Sequence, residues 1–240
     1  MTTTEKKAIL ESAKHWFYKD IAQQHIENTK KLADISKFNI NPFLSVYLAN
    51  FLTGNSSPES IAKALIYPRV LGTSITTSFG TNIQKFTSIV LSSFGSTTPG
   101  IDIEFIDSID NTKKYCQLKA GPNTINKDDV ESIAGHFKSV LNLSKTNNLR
   151  IAFSDLIVGV IYGTPEDLSG HYKRISSQYH YPVFIGQDFW TRLTGDEEFY
   201  YDLIKAISEV AIGTDFSSEL ETVIEQLAQD STIQKLSSIS

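Results

Sequence analysis

The chain has 240 residues, 40% of them apolar, with a formal net charge of −5; that is long enough to bury a sizeable core in one large domain. A single cysteine excludes an intramolecular disulfide, and no Cys/His group has zinc spacing. No apolar run reaches the length of a membrane span and no signal peptide is visible, so a soluble, cytoplasmic protein without a membrane partner is the expectation.

Residues 5–35 read as one long helix or two, because Ile9, Ala13, Trp16, Phe17, Ile21 and Ile26 recur at roughly helical spacing. That stripe serves packing or a dimer arm. Asn39 to Pro42 breaks it. Phe43 to Leu52 is a second apolar helix closed by Gly54-Asn55. Ser57 then caps a third helix with Pro58 at its first position and Glu59 in its first turn; Ile61, Ala62, Leu65 and Ile66 form its buried face. Pro68 is expected to end it. The next helical candidate covers residues 75–94, with Thr76, Thr77 and Ser78 at its start. A helix start rich in hydroxyls and backbone N–H groups suits a phosphate contact or an ordinary cap, and the sequence does not choose.

After a Ser/Thr/Gly/Pro loop over 92–99, Gly100 to Lys119 reads as a hairpin. Ile101, Ile103 and Phe105 face one way, Asp102 and Glu104 the other. Asp110-Asn111 is the predicted tip. With that tip, Asp102 lies opposite Lys119 or nearly so, and Glu104 falls near Gln117. A carboxylate, a second polar residue and a lysine then meet at one end of a small sheet. Gly121 and Pro122 stop the second strand, and Asn126 looks like the cap of a helix from Lys127 to about Leu143. Asn123, Asn126 and Lys127 could serve base-edge or phosphate contacts; asparagines in turns also serve their own backbone.

Arg150 to Gly163 reads as a buried strand with a bend at Ser154-Asp155. A short helix carrying His171, Lys173 and Arg174 follows, either facing a polyanion or simply solvated. Tyr181 to Ile185 is another strand. Gln187 to Ile207 is helical, divided at Gly195-Asp196, and its aromatics Phe189, Trp190, Phe199 and Tyr200 suit core packing or base stacking. Ser217 to Leu227 is amphipathic, and the Ser/Gln end from about Asp230 reads as disordered. The fold expected is α/β: a mixed central sheet flanked by helices with an N-terminal helical part. It forms one domain over 1–240, with 1–95 mostly helical and 96–210 the α/β core.

The hairpin suits phosphodiester cleavage. A carboxylate can hold a divalent metal that stabilises the growing charge and lowers the pKa of an attacking water. A lysine beside it adds positive charge and orients the water. Magnesium, which takes one or two carboxylates plus waters and substrate phosphate, is the ion expected. The five histidines form no close pair, and no phosphate-binding glycine loop or nucleophile elbow is present, so zinc, ATP, NAD and serine-hydrolase chemistries are not supported. The negative net charge argues against nucleic-acid binding only on average. Acids crowd the C-terminal third, and a DNA-cleaving protein needs a local basic cleft.

Pro99-Gly100-Ile101-Asp102 followed by Gln117-Leu118-Lys119 resembles the motif of the PD-(D/E)XK nuclease superfamily, and within it the type II restriction endonucleases. The string from Arg69 through Ser74–Thr81 and the Gly121–Asn126 loop is similar to a subgroup that cuts short GC-rich palindromes. The resemblance implies a restriction-endonuclease-like fold, double-stranded DNA as substrate, a two-fold homodimer, and a site of Asp102, Gln117 and Lys119. Gln117 stands where the family usually has an acid, and it carries no charge. Glu104 is therefore the candidate second metal ligand beside Asp102. Two alternatives stay open. One is a nuclease-fold DNA-binding protein that has lost activity; the other is an interaction protein whose acidic strand is only a sheet edge.

Overall fold

The computed structural model describes residues 1–146, 148 and 150–239, which gather into two compact units. The first comprises Met1–Trp16 and Asn82–Ser208, the second Phe17–Thr81 and Glu209–Ser240. Among the described residues no helix is long and apolar enough to cross a membrane.

The chain opens on α1 (Thr3–Trp16), which buries Ile9, Ala13 and Trp16 at the expected spacing. In the second unit, α2 (Gln23–Lys30) follows a wide helical turn over Phe17–Ala22. Asn41 caps α3 (Pro42–Thr53) by accepting from the amides of Phe43 and Leu44, and Gly54 ends it at φ +79°. Ser57 caps α4 (Pro58–Pro68) through the Ser60 amide, with Pro58 in the first turn. The Gly54 stop, the Ser57 cap and Pro58 in the first turn are as read from the sequence, whereas Asn41 and Pro42, expected only as a break, open α3.

Pro68 does not end the helix. A π-type segment over Arg69–Ser74 carries the backbone on into α5 (Ile75–Thr81). Proline has no N–H to give the preceding turn and its ring crowds that turn; a wider turn accommodates both. No helix N-terminus opens at Thr76, Thr77 and Ser78. Their backbone amides sit within a running helix, and Thr76 turns its hydroxyl back onto the Gly72 carbonyl at 2.9 Å.

The first unit resumes at α6 (Ile83–Ile89) and holds a four-stranded mixed sheet in the order β1-β2-β3-β4. β1 (Ile103–Ile106) runs antiparallel to β2 (Lys113–Lys119); β3 (Leu156–Val160) and β4 (Val183–Ile185) continue it in parallel. The crossover from β2 to β3 is α7 (Lys127–Thr146), and that from β3 to β4 is α8 (Gly170–Tyr179). Every residue of β3 is buried, as a strand covered on both faces requires. The bend expected at Ser154-Asp155 is a 3₁₀ turn over Phe153–Asp155 that precedes β3.

On one face, Val158 and Val160 pack with Val130, Ile133 and Phe137 of α7 and Tyr172 of α8. The other face is covered by α9 (Gly186–Thr194). There Gly159 lies so close that an added Cβ would stand 2.4 Å from the Phe189 ring and 2.9 Å from Cys116 Sγ. Trp190 donates its indole N–H to the Ile161 carbonyl at 2.9 Å and meets the rings of Phe86 and Phe199, which with Phe189 are core residues. Trp16 meets Phe86 edge-on.

After α10 (Phe199–Ile212), the second unit takes the chain back as α11 (Ser217–Ala228), whose Val223, Ile224 and Leu227 pack with Ala62, Ile66 and Val70. The end expected to be disordered is instead α12 (Ser231–Ile239). Ile233 anchors it against Ala49, Ile61 and Ala64, and that burial outweighs the polar composition around it.

Candidate active site

The hairpin register sets which of the candidate residues lie opposite one another. Ile103 pairs with Cys116 and Glu104 with Tyr115, so the next pair outward sets Asp102 opposite Gln117. The sequence reading centred the turn one residue later, giving Asp102–Lys119 and Glu104–Gln117. A one-residue shift of the turn centre moves every partner by two residues and keeps each side chain on its face. Asp102, Glu104, Gln117 and Lys119 therefore share one face, in a corrected order.

The turn centre is set from outside the hairpin. Asp107 is fully buried, accepts the Ile109 amide and pairs with Arg192 at 2.9 Å. Ser108 donates its amide to the Arg192 carbonyl at 2.9 Å and its hydroxyl to the Thr191 carbonyl at 2.7 Å. Asn111 closes the turn in the left-handed region at φ 58°.

Asp102 sits one residue ahead of β1. Its amide donates to the Cys116 carbonyl at 3.0 Å, and its Oδ2 accepts the Leu118 amide at 2.7 Å. The carboxylate is thus held against the backbone between Gln117 and Lys119, and Oδ1 has no protein partner among the described residues. Lys119 closes β2, half-buried, and makes no ion pair among the described residues. Both charges reach the buried Cys116 thiol. Burial pushes its pKa up, Asp102 pushes it further, and a hydrogen bond with the Gly159 backbone and the Lys119 charge oppose them.

Gln117 is 5% exposed. Its Nε2 bonds to the Gly100 carbonyl and lies 2.8 Å from His136 Nδ1 on α7. Its Oε1 has no protein partner among the described residues. Glu104 is engaged elsewhere. Lys113 pairs with it at 2.6 Å, and Ser96 and Thr98 donate their hydroxyls to it. Burial raises the Glu104 carboxyl, but these three partners outweigh it and hold the pKa below the ordinary value.

Among the described residues no group of three or more His, Cys, Asp or Glu could hold a metal. On these two opposed residues, one carboxylate oxygen of Asp102 and the amide oxygen of Gln117 are left without a protein partner among the described residues. That set fits a hard divalent cation that keeps most of its waters and completes its shell with substrate phosphate. It does not form a closed protein cage.

The loop after Lys119 is pinned. Tyr172 donates to the Gly121 carbonyl at 2.9 Å, and Thr124 bonds the same carbonyl. Asn126 caps α7, accepting the amides of Asp128 and Asp129, while Asp129 accepts its amide in return. Asn123, Asn126 and Lys127 are exposed, and Asn123 makes no side-chain bond among the described residues. Thr76, Thr77 and Ser78 belong to the second unit, where the first two are exposed and Ser78 is buried. Arg174, considered as part of a basic face, is engaged by Glu131 at 2.6 Å.

The family model of the type II restriction endonuclease EcoO109I matches residues 6–215. The chain belongs to that family. A comparison with curated proteins finds no match. For a restriction endonuclease the α/β core, the mixed sheet and a DNA substrate are what the sequence reading expected. That reading missed His136, set aside because no second histidine stood near it in the sequence. The only local hint was its place on the apolar helix that follows the strand, beside the buried Phe137.

Proposed function

We propose that this restriction endonuclease is an active, magnesium-dependent, sequence-specific enzyme that hydrolyses phosphodiester bonds in double-stranded DNA. Its site is then of the PD-(D/E)XK kind, with Asp102, Gln117 and Lys119 as the reacting group. The observation that carries this reading is the hydrogen bond from the Leu118 amide to the Asp102 carboxylate. It ties the acid of one strand to the backbone between the glutamine and the lysine of the next.

In this mechanism Asp102 and Gln117 would hold the cation through their unpartnered oxygens, and Glu104 would support β1 through Lys113 rather than act as a ligand. A magnesium ion bound there supplies Lewis-acid stabilisation of the charged phosphorane and a lowered pKa for the attacking water. Lys119, without a carboxylate partner among the described residues, is available to orient that water and to stabilise charge on the non-bridging oxygens. The single negative charge of the donor pair implies weak metal affinity until a DNA phosphate adds its own. Asn123, Asn126 and Lys127 are the proposed contacts beside the site. Thr76 and Thr77 are proposed contacts through their exposed side chains, not as a helix terminus, whereas burial of Ser78 removes it from that set.

A palindromic site calls for a two-fold dimer. The support for one is α3, which exposes Phe43, Leu44, Tyr47, Leu48, Phe51 and Leu52. A stripe of this kind on a chain free in water marks an interaction surface.

The test is incubation with varied plasmid DNA and magnesium. Discrete fragments from wild type, and none from Asp102→Ala, are expected. No fragments from any substrate would sink the reading. The second reading, a DNA-binding protein without activity, is favoured by the uncharged Gln117. Manganese tolerates poorer sites, so specific DNA binding without cleavage in manganese would select it.

A further inference from the structure

Gln117 stands where an acid is usual, so its surroundings ask what the amide is for. Its Nε2 faces the Gly100 carbonyl oxygen and, at 2.8 Å, His136 Nδ1. A carbonyl oxygen only accepts, so the group facing it must be the amide NH₂ and not the amide oxygen. The second N–H then goes to His136 Nδ1, which must accept. The imidazole is therefore neutral, with its proton on Nε2. Turning the amide over would set oxygen against oxygen at Gly100.

Gly100 makes this arrangement possible twice over. It lies at φ +78°, a conformation that suits glycine, and an added Cβ would meet the His136 ring at 2.9 Å. The ring can rest on this backbone only where there is no side chain. Its helix, α7, is held down by Val130, Ile133, Phe137 and Val140, so the ring is delivered by a fixed element.

We propose that His136 is a positioning residue of the nuclease site: together with the Gly100 carbonyl it takes both N–H groups of the Gln117 amide and fixes Gln117 Oε1 as the atom offered to the cation. The glutamine is then matched to its neighbours rather than a damaged acid. A carboxylate at position 117 would turn one oxygen onto the Gly100 carbonyl, which has no proton to give. This rests on the nuclease reading above for its role, but the lock itself is a matter of hydrogen-bond polarity.

Two measurements test it. The first is the ¹⁵N spectrum of the His136 ring in the full chain under mildly alkaline conditions, assigned by comparison with His136→Leu. The neutral Nε2–H tautomer is expected, and the Nδ1–H tautomer would overturn the proposal.

The second compares His136→Leu with His136→Asn, whose side-chain oxygen can stand near the position of Nδ1. His136→Leu should cut DNA about 10- to 100-fold more slowly, the usual range for losing a partner that orients a ligand. Manganese affinity in the DNA complex should fall by a similar factor, while metal-free DNA affinity stays unchanged. His136→Asn should recover most of both. Wild-type cleavage by His136→Leu, or an Asn variant as impaired as Leu, would overturn the proposal and leave the nuclease reading standing. If wild type cuts no DNA, the nuclease reading falls, and the ring tautomer still decides whether the amide is locked.

Discussion

Glu104 pairs with Lys113 at 2.6 Å and lies opposite Tyr115, two residues short of Gln117 on the neighbouring strand. The carboxylate that could have replaced the missing acid is thus engaged with a lysine and two hydroxyls. Glu104→Gln should slow cleavage by less than about tenfold, below the range typical of a direct transition-state contact. It should cost about 1 kcal/mol of stability through the lost charge-assisted bonds. The folded-state pKa lies below the ordinary carboxylate value, so this stabilisation is present above that value and is lost as pH falls through the folded one. The two proteins should differ in urea midpoint at neutral pH and converge in acid. A variant that binds DNA but cuts about 1,000-fold more slowly would instead make Glu104 a metal ligand.

Asp102 should separate geometry from charge. Asp102→Asn can still accept the Leu118 amide through its carbonyl oxygen, so β1 and β2 should keep their register. What it removes is the only negative charge of the donor pair. Cleavage should fall about 100-fold or more while DNA affinity without metal holds or rises slightly, because an anion facing phosphate is gone. Single-turnover rates and metal-free binding isotherms measure the two effects. Equal cleavage by wild type and Asp102→Asn would remove Asp102 from the reacting group.

The hairpin was legible because alternation survives any error of two residues, and the faces of Asp102, Gln117 and Lys119 followed from it. The partner of each residue was not legible. The turn is closed by Arg192 on Asp107 and by the Thr191 and Arg192 carbonyls on Ser108, contacts 83 to 85 residues along the chain. His136 was invisible for a related reason: its bond to Gln117 spans 19 residues and exists only once α7 crosses back over the sheet. Pro68 was read by local rule, and a π-type turn set the rule aside. At the C-terminus, serine and glutamine masked the single buried Ile233 that holds α12.

The far end of the hairpin carries a charge cluster that should govern acid stability. Lys114 is 2% exposed; its ammonium reaches Asp110 at 2.7 Å, Asp155 at 3.6 Å and the Ser154 carbonyl at 3.0 Å. Burial tends to raise the Asp110 pKa, but Lys114 and Thr112 outweigh it and lower it from 3.8 to about 2. Because the folded value is the lower one, the stabilisation is complete above 3.8 and is lost as pH falls toward 2. Asp110 is 41% exposed, so solvent screening limits its contribution to about 1 kcal/mol. Acid unfolding of Asp110→Asn, followed by circular dichroism, should lack that part of the wild-type pH dependence. An unchanged acid transition would show that the pair contributes nothing.

Removing the lysine should cost more than removing Asp110. Lys114→Met keeps the apolar stem but leaves Asp155, whose side chain is 17% exposed, without its cation. A loss of about 2 kcal/mol is expected, less than the 3–5 kcal/mol of a fully buried pair because Asp110 faces water. A urea midpoint within error of wild type would sink this estimate.

The helix α3 makes the most direct test of assembly. Phe43 is 86% exposed, Tyr47 61% and Phe51 78%, and Leu44, Leu48 and Leu52 continue the stripe. Ser45 and Ala49 are the residues α3 buries. A stable interface covers ~800 Å² per subunit, and six large exposed apolar side chains on one helix are the material for its apolar centre. Antiparallel pairing about a two-fold axis would set Tyr47 near the centre, with Phe43 of one copy facing Phe51 of the other. Since these rings contribute little to the monomer's own core, Phe51→Glu should leave helical content and thermal stability near wild type while placing like charges at both ends of the pair. Sedimentation should report a dimer for wild type and a monomer for Phe51→Glu, with cleavage of a palindromic substrate falling about tenfold or more as the second copy is lost. A wild-type chain that sediments as a monomer at micromolar concentration, or a Phe51→Glu chain that stays dimeric, would move the interface elsewhere.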